Sequence, residues 1–273
     1  MATINFWFDF ASPYSMISVL RLARAMAGTG SSDVVRGLAS CQAPDLAGVG
    51  VVFKPVFLGG LFKEVGQAAL PNMQVPAKGK HLFQDVRRSL DLLGVRGFPA
   101  TRPASWPPNP VLADRMAWLL AQGPDYVRAL DSGDASPPAT PAGPLPPRPT
   151  AVLAEFVWRV YEAEFIADHD IGSPEVLAAL WDKHVAGCGH DLGGPLPAGQ
   201  RAVELAGTAA VKAGLTDNTS AAAAAGLFGV PSFTTEDNAM YWGNDRLLDA
   251  VAHHRIRHLL SPPAGPGDGA ANL

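Results

Sequence analysis

Thiols are scarce in this chain. Of 273 residues only Cys41 and Cys188 are cysteines. They lie far apart in sequence, which argues against a disulfide framework and suits a reducing compartment. Charge is sparse as well: 17% of residues are charged, the net is −4, and no basic stripe exists. Nucleic acid is therefore not an expected partner. No apolar run is long enough to span a bilayer, so no membrane partner is expected either. The first residues carry no basic segment followed by an apolar core, so no secretory signal is expected and the location reads as cytoplasmic. One organelle address has a degenerate match. Ala271-Asn272-Leu273 distantly follows the S-K-L peroxisomal tripeptide, for which a chance ending in leucine is the simpler account.

Hydrophobic residues make up 48% of the chain, enough for an ample core. Proline and glycine are abundant but clustered. Residues 28–48 and 131–149 read as surface loop insertions, and 261–273 as a disordered tail. None can bury enough apolar surface to order itself.

The stretch Ile4 to Met26 reads as a strand, a tight corner and a helix. Ile4, Phe6, Phe8 and Phe10 alternate with Asn5, Trp7 and Asp9, the period of a strand with one well-buried face. Ser12 sits at a helix N-cap position and Pro13 at the first helical position, where its missing N–H costs nothing. Free N–H groups and the positive end of a helix dipole converge on Ser12, which makes an anion site. Ser12-Pro13-Tyr14-Ser15 has the spacing of a C-x-x-C redox motif with serine at both thiol positions. It cannot exchange disulfides, but it can hold another molecule's thiolate. A plain Ser-Pro helix cap accounts for the same four residues.

Val49 to Val56 reads as a second strand, joined to the first by a helical crossover. The period then changes. Gly79–Leu93, Asn109–Gln122, Ala151–Ala167, Ser173–His184, Gln200–Ala213 and Asp217–Ala225 read as helices, with no strand signal among them. Ser232–Thr235 and Ala239–Trp242 form a hairpin, and Asp245–Leu260 a last helix. The order describes an α/β fold: a thioredoxin-like βαβ…ββα sheet with an inserted all-helical domain. The thioredoxin-like part is expected over 1–60 and 215–260, and the inserted helical domain over 61–214. A cleft is expected between the two, above Ser12.

Val230-Pro231 opens the hairpin where such a fold carries a cis-proline facing the corner. Together, FWFDFASPYS, KPVFLGGLFKEVG, VPAKG, NTS-x5-GLFGVPSF and YWGNDRLLDAV resemble the 2-hydroxychromene-2-carboxylate isomerases and the related kappa-class glutathione transferases, both DsbA-like. The resemblance spans most of residues 3–260. It implies glutathione as cofactor and a small aromatic substrate. It places the Ser12 hydroxyl at the glutathione sulfur and Lys78 at the glycyl end. Val230, before Pro231, matches the residue whose backbone pairs with the cysteinyl part. Asn244 and Asp245 match the pair at the γ-glutamyl end, and Asn218 an asparagine beside the site. The family usually has Gly-Asn ahead of VP-x-KG, where this chain has Gly66-Gln67, so Gln67 or Asn72 could fill that role.

Three activities remain open on the sequence. The first is an isomerase using a glutathione thiolate stabilised at the Ser-capped helix. The others are a kappa-like glutathione transferase and a non-catalytic glutathione or peptide binder. The chain could act as a monomer or a homodimer. His184-x3-Cys188-x-His190 resembles a metal-site fragment but lacks a fourth ligand, so no metal is assigned. His253, His254 and His258 fit a helix C-terminus. Trp118, Trp158 and Trp181 fall at helical positions, either in the core or along a substrate pocket.

Overall fold

The computed structural model describes residues 2–27, 44–67, 74–99, 102–134, 138–139, 141 and 143–260. Asn72, the tail 261–273 and parts of both expected loop insertions lie outside them.

The opening strand β1 (Ala2–Phe8) runs into α1 (Pro13–Ala27) and then β2 (Val49–Pro55). Helices α2 (Leu58–Glu64), α3 (Pro76–Leu92), α4 (Val111–Ala121), α5 (Pro124–Asp131), α6 (Pro147–Phe165) and α7 (Pro174–His184) follow. After a 3₁₀ stretch at Ala186–Leu192 come α8 (Gly199–Ala206) and α9 (Ala209–Ala224). The chain returns to β3 (Ser232–Thr235) and β4 (Met240–Trp242), and closes with α10 (Leu247–Leu260). The sheet order is β2-β1-β3-β4, with β1 parallel to β2 and both other pairings antiparallel. This is a DsbA-like thioredoxin arrangement in the α/β class. No helix of the described residues is long and apolar enough to cross a membrane.

The alternation in β1 places Ile4, Phe6, Phe8 and Phe10 on one wholly buried face. Phe6 stacks on Phe8 and on Phe233 of β3, with ring centroids 5.1 and 5.3 Å apart. Met16, Ile17 and Leu20 of α1 and Leu247 of α10 join the same core. The opposite face, half-buried at Thr3 and Asn5, is also covered toward the C-terminal end of the strand. Trp7 packs there with Leu58 and Leu61 of α2 and Ala222 of α9, and its indole N–H donates to Thr234 Oγ1 at 2.9 Å. Period-two alternation separates the two faces but cannot report that a second layer covers the polar one.

Helices α2 and α5 are not expected from the sequence, and several boundaries differ, three of them with a local reason. The expected break between helices near 213–217 is at Gly207 and Thr208 instead, and α9 runs straight through Gly214. A Cβ on Gly214 would come within 2.0 Å of the Trp118 ring, so that glycine serves close packing and does not end a helix. The proline-rich stretch 131–149 ends inside α6, because Pro147 and Pro149 fall in the first helical turn, where no backbone N–H is needed. Asp245 belongs to a 3₁₀ turn, Asn244–Arg246, ahead of α10.

Candidate active site

Ser12 caps α1 as its position predicts: its Oγ accepts the Ser15 N–H at 3.3 Å. The same oxygen donates to the Val230 carbonyl at 3.2 Å, and the Val230–Pro231 bond is cis. Residues 218 positions apart therefore meet at the corner, and both are buried.

A cleft of about 340 Å³ opens over this contact. Ser12, Pro13, Tyr14 and Val230 line it, as do Lys78 and Leu82 of α3 and Gln67. Its rim is aromatic. Trp106 and the mutually packed Phe228 and Trp242, 4.9 Å between ring centroids, line it as well. Gly229 leaves the space for Trp242, whose Nε1 would lie 2.9 Å from a Cβ there. Sequence reading missed Trp106, Phe228 and Trp242. Phe228 and Trp242 lie within the quoted GLFGVPSF and YWGNDRL segments, which is the signal that could have found them.

A second, larger chamber of about 540 Å³ adjoins the cleft. Ala11, Leu58, Phe62, Gln67 and Pro107 belong to both. Phe57, Lys63, Pro108 and Pro110 complete most of its wall, with Asp9 behind them. Phe57 folds its ring over α2, 2.9 Å from where a Cβ on Gly59 would stand. The paired glycines of KPVFLGGLF let that ring lie flat against the helix and face the chamber.

The remaining sequence candidates divide. Lys78 and Gln67 line the cleft with Ser12 and Val230. Asn244 sits nearby, but its side-chain oxygen accepts from Arg21 at 3.2 Å and from Ser18 at 3.5 Å, and Arg21 also holds its carbonyl at 2.6 Å. It is built into the floor of the turn, leaving its amide N–H₂ for other contacts. Asp245 is exposed and pairs with Arg246 at 3.6 Å, and its charge reaches Tyr14 in the cleft wall and Arg21. Asn218 does not line the cleft; its Nδ2 donates to the Pro55 carbonyl at 3.1 Å and secures the end of β2. Trp118, Trp158 and Trp181 are core residues, the last donating its indole N–H to Pro197 O at 2.9 Å. His253 meets Tyr241 and lies 3.5 Å from Asp237, so it faces the hairpin instead of completing a helix end. Cys188 is partly buried and its thiol approaches the His184 carbonyl at 3.5 Å.

Several groups around the corner carry displaced acidities. Burial pushes Asp9 up to about 6, against the opposing N–H donors of Leu58 and Ala11. Burial, then the negative charge of Asp9, hold Asp114 well above the usual carboxylate range. Burial and a 2.9 Å hydrogen bond to Asp85 push the Tyr14 phenol up.

Comparison with known proteins agrees with the fold. Residues 3–104 match the model of the DSBA-like thioredoxin domain. The solved structure of a 2-hydroxychromene-2-carboxylate isomerase superposes with a TM-score of 0.62 at 20% identity, covering 94% of this chain and 97% of that one. A probable DsbA oxidoreductase from Streptomyces coelicolor superposes with a TM-score of 0.53 at 14% identity, covering 93% and 90%. No curated protein matches the sequence. Residues 3–104 therefore match a DSBA-like thioredoxin domain, and the chain as a whole shares the fold of these two solved structures.

Proposed function

We propose that the chain is a glutathione-dependent isomerase of an aromatic catabolite of the 2-hydroxychromene-2-carboxylate kind. One observation carries the reading. The Ser12 hydroxyl at the N-terminus of α1 and the Val230 carbonyl wall a cleft shared with Lys78, and an apolar chamber opens beside it.

The cleft fits glutathione chemically. The tripeptide is an anion with one ammonium, so it needs cations at its carboxylates and an acid near the ammonium. Lys78 supplies a cation in the wall, and Asp245, exposed outside the cleft lining, is an acid whose charge is felt at Tyr14. About 340 Å³ lies within the ordinary range of small-ligand pockets, roughly 300–1,000 Å³. Glutathione, when bound, supplies a nucleophilic thiol.

The chain's own residues would do the rest. Ser12 and the N-terminal turn of α1 stabilise negative charge at the corner. The hydroxyl proton now held by Val230 O is the donor available to an anion there. Phe57, Phe62 and the prolines of the chamber give an aromatic ring a dry surface, and Lys63 is the cation in that wall for a substrate carboxylate. Serine at both positions of the corner motif removes disulfide exchange as an activity of this site.

The test is to mix the protein with the chromene and substoichiometric glutathione, following absorbance and free thiol together. Full equilibration with no thiol lost supports the isomerase. Loss of one thiol per product would make it a kappa-like transferase. Glutathione binding without turnover would leave a binder.

A further inference from the structure

Asp9 is the buried charge that the proposed chemistry leaves unused. It directly follows β1, three residues before Ser12, and is fully enclosed. Its carboxylate joins two separate pieces of chain: one oxygen accepts the Ala11 N–H at 2.6 Å, the other the Leu58 N–H at 2.6 Å. Its carbonyl takes the Ser12 N–H at 3.0 Å and the buried Tyr161 phenol at 2.8 Å. All the oxygens of Asp9 are thus spent on the corner. Ala11 and Leu58, the two residues it ties, line both the cleft and the chamber.

The charged groups facing Asp9 are few. Asp114 of α4 is equally buried; its Oδ1 accepts only a long bond from Phe10 N–H, 3.4 Å, and its Oδ2 has no partner. The charge of Arg115 acts on Asp114, and the buried Tyr161 phenol of α6 feels both carboxylates. Two carboxylates in one dry site do not both ionise. The charge settles where the N–H donors are. Asp9 has two short ones and Asp114 one long one, so Asp9 ionises first and Asp114 holds the proton.

We propose that Asp9 is the positioning residue of the Ser12 corner: its ionised carboxylate pins Ala11 to Leu58, sets the wall between cleft and chamber, and stands as a negative charge behind any anion bound at Ser12. The pinning stands on geometry alone. The effect on a bound thiolate rests on the glutathione reading. When Asp9 takes up a proton, one of its two acceptors becomes a hydroxyl, so the tie weakens and the wall loosens. When it is ionised, its charge opposes the helix dipole, which keeps a thiolate at the corner less stabilised than the helix alone would make it.

The two parts separate experimentally. In the glutathione-free protein, the backbone amide resonances of Ala11 and Leu58 should titrate together with a midpoint near the Asp9 value of about 6. Asp9→Asn should abolish that titration and Asp114→Asn should leave it. Leu58→Pro removes one N–H donor from a first helical position that accepts proline, and should move the Ala11 midpoint upward. With glutathione bound, Asp9→Asn should lower the midpoint of the thiolate absorbance. Absence of a shared Ala11 and Leu58 titration in the unaltered protein would overturn the proposal. So would its loss in Asp114→Asn with survival in Asp9→Asn. An unmoved or raised thiol midpoint in a folded Asp9→Asn variant would overturn the charge effect. Failure of the unaltered protein to bind glutathione would sink the glutathione reading while the amide titration still decides the pinning.

Discussion

Ser12→Ala removes an oxygen that makes two contacts, and the two losses can be sized apart. The helix cap to Ser15 N–H is worth about 0.5–2 kcal/mol. The Val230 carbonyl would lose its donor while buried, at a cost of roughly 1–3 kcal/mol. Together these predict a loss of about 1.5–5 kcal/mol, or a melting temperature lower by roughly 3–20 °C for a chain of this size. Ser173→Ala is the control, since Ser173 caps α7 through Val176 N–H at 3.3 Å and lies outside the cleft lining. It should cost only about 1 kcal/mol. If Ser12 also stabilises a bound thiolate, one hydrogen bond to an anion adds about 1.5–3 kcal/mol in the complex. Turnover near neutral pH should fall roughly ten- to a hundredfold, and the thiol midpoint should rise by about one to two pH units. Calorimetry and thiolate absorbance read these separately. A Ser12→Ala protein that melts like Ser173→Ala, with turnover and thiol midpoint unchanged, would show Ser12 to be a helix cap and nothing more.

Glutathione at a hundredfold excess over its dissociation constant should stabilise the protein by about 2.7 kcal/mol, and an unmoved melting temperature would remove it as the ligand. Lys78→Ala and Asp245→Ala should each weaken that binding several-fold, while Asp249→Ala, which breaks only the exposed Arg246 pair, should not. Asp9 should make the protein less stable at neutral than at acid pH. Below 3.8 both folded and unfolded forms hold its proton; between there and about 6 only the folded form does, and that advantage disappears as pH rises through about 6. The difference corresponds to roughly 3 kcal/mol, so Asp9→Asn should flatten this part of the stability profile in urea titrations. Gly214→Ala should destabilise by at least about 1–3 kcal/mol because its methyl would enter the Trp118 ring, and a neutral result would mean α9 can shift away.

Local chemistry made the frame of the protein readable from sequence. Alternation along Ile4–Phe10, Ser12-Pro13 at a helix start and Val230-Pro231 at a strand start each depend on near neighbours, and each appears where expected. Lys78 and Gln67, singled out by the family resemblance and not by local chemistry, lie in the lining of the cleft with Ser12. What failed depends on partners distant in the chain. Gly214 looks like a helix break until Trp118 is set against it, and nothing local reports that α2 and α9 cover Trp7 on the outer face of β1. Asp9 looks like an ordinary polar residue of a strand. Only folding buries it beside Asp114, between Ala11 and Leu58. Backbone preference acts over a few residues and is written in their order, whereas burial and charge coupling act across space and exist only once the chain has closed around them.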